Sequence, residues 1–171
     1  VYYNSNASAY SGVNQIVVRK GTRSEAGEWN WEEKQIALTS AASGFDALQV
    51  GDPSVIAGTF AYENDHYAYL MAYTGCADNT GQNNAVGLAV AKNPLGPWIR
   101  LSSNPIVPFT RDDTHAESFQ WGCGQPSLVS VDKEGTVLLF YSVGTATGTT
   151  TKVERWDFSD LSSPTRAFSE E

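Results

Sequence analysis

At 171 residues the chain is long enough for one domain with a core of its own. A formal net charge of -8 argues against nucleic acid and against an anionic membrane as partners, because either would repel it. Charged residues make up only 18%, so the polar surface comes from Ser, Thr, Asn, Gln and Gly, a balance that suits an all-β domain meeting a neutral ligand such as a sugar.

Short β-rich runs bounded by Gly, Pro, Asn and Asp recur along the whole chain, and helical periodicity is weak. Tyr2-Tyr3 ends a strand, Gln15 to Arg19 forms the next, and Trp31 to Leu38 holds another. Val55 to Ala57 is a short apolar strand, turned at Glu63-Asn64-Asp65 into the aromatic-rich run His66 to Thr74. Ala85 to Ala91 follows, then a turn at Asn93-Pro94-Leu95-Gly96 and a strand near Trp98 to Leu101. Leu128 to Val131 turns at Asp132-Lys133-Glu134-Gly135 into Thr136 to Val143. Thr151 to Phe158, a turn at Ser162-Ser163-Pro164 and an end near Phe168 complete the series. No apolar run approaches the length needed to cross a bilayer, and the opening VYYNSNASAY lacks the charged-then-apolar order of a leader.

These runs are a unit written twice. Gly51 to Gly75 and Gly122 to Gly144 share a Gly, polar, Pro, Ser opening, a short apolar strand, a polar turn and an aromatic-aliphatic strand. Four antiparallel strands per repeat make a propeller blade. Pro53 and Pro126 stand 73 positions apart, so a ring of ~5 blades would need roughly twice this chain. The expected fold is all-β, of the five-bladed β-propeller type, and covers about two and a half blades. Residues 1–50 are the back half of one blade, 51–107 a second and 108–171 a third. The remaining blades, or a second chain, are then needed to cover the open edges. A β-sandwich of the same strands is the alternative.

Blade connectivity sorts the loops by face. Those before a blade's first strand, Ala47 to Asp52 and Thr110 to Gln125, share the ligand face with those between second and third strands, Asn4 to Asn14, Gly75 to Asn84 and Gly144 to Thr150. Cys76 and Cys123 both fall in this set, and a disulfide between them would tie adjoining blades in an oxidising compartment. Two unpaired thiols in packed loops are the alternative. The same sorting gathers Asp52, Gln125, Trp121, Glu117 and His115. Carboxylates accept sugar hydroxyls or perform acid/base chemistry, and an indole stacks on the apolar face of a sugar ring. Each has a plainer reading: Asp before Pro often starts a strand, Trp121 could be a rim aromatic, and His115 with Arg111-Asp112-Asp113 could be a solvated loop. His66 starts a strand at the opposite face and reads as structural. No nucleophile elbow, phosphate loop, zinc motif or calcium loop is present, so no cofactor is expected, and a structural calcium ion is left open.

Asn83 to Val107, NNAVGLAVAKNPLGPWIRLSSNPIV, resembles the strand and turn written GxAxSxxPxGP in family 43 glycoside hydrolases. GDPSVI and GQPSLVSVDKEGTVLLFYSVG look like that family's blade openings, and VERWDFSDLSSP like a blade ending. The resemblance implies a five-bladed propeller acting on arabinosides or xylosides, an oligo- or polysaccharide partner and a secreted setting, extracellular or periplasmic. Such enzymes use an Asp base, an Asp that orients and tunes, and a Glu acid. Carried over by the GDPSVI register, Asp52 is the tuning carboxylate or base and Glu117 the acid, kept protonated by burial beside Trp121. Carried over by GLAVAKNPLGP, the tuning position is Gln125, which holds no charge. Gln125, Trp121 and His115 are then substrate-binding candidates. A propeller that binds sugar without cleaving it, and a fragment of a larger glycosidase, are the competing readings.

Overall fold

The computed structural model describes residues 1–6 and 14–170. Much of the rim loop read between Asn4 and Asn14 falls on residues 7–13, outside the described residues. Among the described residues thirteen strands form antiparallel sheets, and the strands of each blade follow one another in chain order.

The first sheet orders β1 (Tyr2–Asn6), β2 (Asn14–Val18) and β5 (Gln35–Leu38). Between β2 and β5 the chain makes a separate ribbon of β3 (Gly21–Arg23) and β4 (Trp29–Trp31). The strand expected within Trp31 to Leu38 is β5, while Trp31 at the head of that stretch ends β4. The charged run Glu32-Glu33-Lys34 separates the two: Lys20 Nζ pairs with Glu32 at 2.9 Å, and Arg19 Nε donates to the Glu32 carbonyl at 2.8 Å.

The second sheet is a four-stranded meander of β6 (Gln49–Tyr62), β7 (Asp65–Cys76), β8 (Ala85–Ala91) and β9 (Ile99–Arg100). The third repeats it with β10 (Gly122–Ser130), β11 (Thr136–Thr145), β12 (Gly148–Asp157) and β13 (Thr165–Glu170). His66 sits exposed at the turn end of β7.

Burial explains the uneven hydrophobic pattern. Every residue of β8 is buried because the second sheet is covered on both faces, so its sequence AVGLAVA is continuously apolar. Strand β7 divides its side chains by parity. Met71 and Tyr73 enter a core with Ile16, Leu38 and Val50 on the side of the first sheet. Leu70 and Ala72 enter a core with Leu128, Val137, Leu139 and Tyr141 of the third sheet. Main-chain bridges stitch the second and third sheets at both ends, Asn84 to Gly122 and Ala61 to Asp160. The sheets stack as successive blades, each with a core against the next. This is a partial β-propeller rather than two face-to-face layers.

Candidate functional site

The site grows from a defect repeated at the head of two inner strands. In β6 the ladder register shifts between Gly51 and Ser54, and in β10 between Gly124 and Ser127. At each bulge a non-glycine residue is forced into the left-handed region, Asp52 at φ 50° and Gln125 at φ 53°. Such a conformation costs on the order of 1–3 kcal/mol and persists only where the surroundings impose it. Here the imposed features are the following proline and a bond from the preceding blade.

Asp52 N–H donates to Asn4 Oδ1 at 2.8 Å, and Asn4 Nδ2 donates back to the Asp52 carboxylate at 3.2 Å. Gln125 N–H donates to Thr74 Oγ1 at 2.8 Å, while its exposed side chain makes no hydrogen bond among the described residues. Asp52 is thus an oriented carboxylate, and Gln125 an unrestrained amide at the same place in the next blade.

A pocket of about 200 Å³ opens beside Asp52. Its polar walls are Asn4, Asn14, Gln49, Thr74 and Asn84, with Cys76 behind. Asn14 Nδ2 donates to Gln49 Oε1 at 3.3 Å, which fixes both amides. Asp52 is the one charged side chain among the described residues lining it. An enclosure of neutral amides around one carboxylate presents both donors and acceptors, and suits a polyhydroxyl ligand.

Trp121 stands next to this pocket. Asn84 Nδ2 donates to its carbonyl at 2.7 Å, and the half-buried indole packs against Gly144, where an added Cβ would meet Nε1 at 1.7 Å. Its Nε1 donates to Thr149 Oγ1 at 3.4 Å. Asp52, Gln125 and Trp121 therefore share one rim through Thr74 and Asn84.

Glu117 and His115 do not line the pocket. Both are exposed on the loop around a single 3-10 turn, Asp113–His115. His115 Nδ1 lies 2.7 Å from Asp112 Oδ2 and 3.0 Å from Thr114 Oγ1, a local cluster. Glu117 makes no hydrogen bond or ion pair among the described residues, so the burial expected for it beside Trp121 is absent. What holds this loop is Gln120, fully buried. It accepts from Asp112 N–H at 2.9 Å and donates to the carbonyls of Asp112 and His115 at 2.9 and 3.2 Å. Arg111 closes the same loop, donating to the Ala116 carbonyl at 2.6 Å and to Gln82 Oε1 at 2.7 Å.

The cysteines are free, a correction to the disulfide expected from their shared face. Cys76 points at the Asp78 carbonyl, 3.0 Å away, whereas Cys123 packs in the core between the second and third sheets. Desolvation raises both thiols, Cys123 to about 11, so neither is a thiolate at neutral pH. Among the described residues, no three His, Cys, Asp or Glu side chains gather to hold a metal.

Two buried carboxylates escaped the sequence reading. Asp46 accepts from Arg100 Nε at 2.7 Å and Tyr73 Oη at 3.0 Å; Glu154 accepts from Arg166 at 2.7 Å, Tyr141 Oη at 3.0 Å and Trp156 Nε1 at 2.8 Å. Each pins a blade's tyrosine to an arginine of its fourth strand. Nothing in the sequence pairs an acid with an arginine 54 positions away, as in Asp46 and Arg100.

Residues 2–160 match the sequence model of the family described as glycosyl hydrolases family 43. No curated protein matches. Among solved structures, a thermostable family-43 glycoside hydrolase is similar at 22% identity and a TM-score of 0.63, over 98% of this chain and 53% of that one. An endo-1,4-β-xylanase from Bacteroides thetaiotaomicron aligns at 19% identity and a TM-score of 0.56, over 91% and 50%. A family 117 glycoside hydrolase from Zobellia galactanivorans aligns at 17% and 0.58, over 85% and 39%. The chain thus spans about half the length of these structures, or less.

Proposed function

The chain belongs to family 43 of the glycosyl hydrolases, and we propose that it supplies the Asp52 wall of a glycosidase funnel acting on neutral arabinoside- or xyloside-type glycans. The observation that carries this reading is the pocket in which neutral amides surround the oriented Asp52. With no cation among the described residues that line it, a uronic acid would meet repulsion from Asp52, while neutral hydroxyls can both donate to the carboxylate and accept from the amides. Trp121 offers an indole face at the rim, and Gln125 an amide that can follow the sugar.

Hydrolysis needs a second carboxyl group across the scissile bond, at roughly 5–5.5 Å for retention or 6.5–9.5 Å for inversion. In the proposed reaction water attacks the anomeric carbon as the glycosidic C–O bond breaks, Asp52 takes the water's proton or orients the carboxylate that does, and an acid protonates the leaving oxygen. Glu117 is this chain's candidate for that acid, although it would have to turn inward from its exposed loop. The competing reading is sugar binding without cleavage, and the uncharged Gln125 at the position equivalent to Asp52 favours it. A secreted setting, extracellular or periplasmic, is part of the proposal and rests on the polymeric substrate alone.

The test is calorimetric titration with neutral xylo- and arabino-oligosaccharides beside an oligogalacturonate, with product analysis over long incubation. Neutral sugars should bind, and Asp52→Ala should weaken them by ~10-fold or more, a loss of about 1.4 kcal/mol. Product that disappears in Asp52→Asn and Glu117→Gln supports cleavage by this pair. Binding without product selects the second reading, and preference for the oligogalacturonate rejects both.

A further inference from the structure

The pocket beside Asp52 is too small for a glycan chain. Its volume of about 200 Å³ lies below the ~300–1,000 Å³ of clefts that enclose a drug-sized ligand, so it takes one sugar unit and the next unit must lie on the rim. Gly81 is part of the pocket wall, and the loop that carries Phe119 crosses beside it. A Cβ built on Gly81 would lie 4.0 Å from Cζ of Phe119. The phenyl ring therefore stands one van der Waals contact from the pocket's own lining.

Phe119 is 62% exposed. A lone exposed apolar side chain is ordinary on a protein surface. This one differs in its support. On its N-terminal side Arg111 donates to the Ser118 carbonyl at 3.2 Å. On its C-terminal side Gln120 is fully buried; its N–H donates to Gln82 Oε1 at 3.3 Å, and its carbonyl accepts from Asn83 N–H at 3.3 Å. Gln82 Oε1 also accepts from Arg111 at 2.7 Å, so the loop carrying Phe119 is tied to the loop carrying Gly81. A ring held out in water on a backbone fixed at both sides has little freedom left to lose when a ligand covers it.

The indole of Trp121, two residues on, is placed differently. It fills a notch between glycines: a Cβ on Gly124 would meet it at 3.3 Å and one on Gly144 at 1.7 Å, and its Nε1 donates to Thr149. Part of the indole is therefore committed to packing. Among the described residues no other ring lies against Phe119. A phenyl ring has neither donor nor acceptor, so its face meets a sugar through C–H groups alone. A xylopyranose ring suits it, because it carries no exocyclic carbon and offers C–H groups on both faces.

We propose that Phe119 is a specificity-determining residue, the platform on which the second pyranose of a neutral xylo-oligosaccharide stacks while the first occupies the Asp52 pocket. The inference rests on the reading of that pocket as a sugar site. It adds the kind of chain the site selects, one that continues by at least one pyranose past the pocket.

NMR titration of the 171-residue chain with methyl β-xyloside, xylobiose and xylotriose tests this. Affinity should rise by ~5- to 10-fold from the methyl xyloside to xylobiose, the scale of one aromatic contact, and change little at xylotriose. Phe119→Ala should remove that rise and leave both the methyl xyloside affinity and the urea midpoint unchanged. Phe119→Leu, apolar but without a ring face, should remove it too, whereas Phe119→Tyr should keep it. Asp52→Ala should instead weaken all three ligands alike. Affinity indifferent to chain length, or a rise that survives Phe119→Ala or Phe119→Leu, would overturn the platform and leave the pocket reading standing. Binding of none of the three would overturn the pocket reading and the platform with it.

Discussion

Asp52 and Gln125 carry the same backbone strain for different ends. Both are held at positive φ by a bulge, a following proline and a neighbour's acceptor. Asp52 gains an oriented carboxylate from this, and Gln125 gains only a position. β-Branched and glycine substitutions should therefore part company at Gln125. Gln125→Val, whose side chain tolerates left-handed backbone poorly, should lower stability by about 1–3 kcal/mol in urea unfolding. Gln125→Gly should leave it unchanged or raise it. The sequence showed the doubled Gly, polar, Pro, Ser unit plainly, yet it gave no sign of this conformation, because neither residue is the glycine that usually marks positive φ. The burial expected for Glu117 is absent for a related reason: Trp121 is close in sequence, but Gln120 fills the loop's interior and leaves Glu117 exposed.

At the scale of elements, turns and strands were legible where chemistry repeats and illegible where long-range partners decide. Strand β8 was read to the residue, since a strand covered on both faces is apolar throughout. The β3–β4 ribbon was missed because Trp29 and Trp31 look like core residues. They stack on each other at 5.5 Å and remain exposed. Asp132 was expected in a turn, whereas Asp157 was read within a strand; in the structure both, with Asp78 and Asp112, accept the N–H two residues on, and this has an electrostatic consequence. The Thr80 hydroxyl and N–H hold the Asp78 carboxyl below the ordinary 3.8. Thr114 and His115 do so for Asp112, Thr136 for Asp132 and Ser159 for Asp157. A carboxyl whose folded value is lowered contributes its stability in full above the unfolded value and loses it as pH falls through the folded one. The urea midpoint should therefore hold steady down to about pH 5 as far as these groups go, and fall below about pH 4. Asp78→Asn combined with Asp157→Asn should lower the plateau and flatten the fall; an unchanged slope would remove these turns from the acid response.

For the whole molecule, the stacking of sheets decides which apolar residues matter. Leu138 and Leu139 are neighbours in β11, but Leu139 is fully buried against the second sheet and Leu138 is half-buried on the open face. Leu139→Ala should cost about 2–5 kcal/mol and Leu138→Ala under about 1 in the 171-residue chain. Equal costs would contradict a stack of blades with one uncovered face. The propeller arrangement was legible because its unit is written twice in sequence; what the pocket contains was less so, since Asn14 meets Gln49 and Asn84 only where the first and second sheets are stacked.

Amide chemical-shift mapping with a neutral xylo-oligosaccharide tests the proposed site most directly. Shifts concentrated at Asn4, Gln49, Asp52, Thr74 and Asn84, with the Trp121 indole joining them and all of them lost in Asp52→Ala, are the predicted result. Shifts confined to the Trp29 and Trp31 ribbon, or none at saturating sugar, would contradict it.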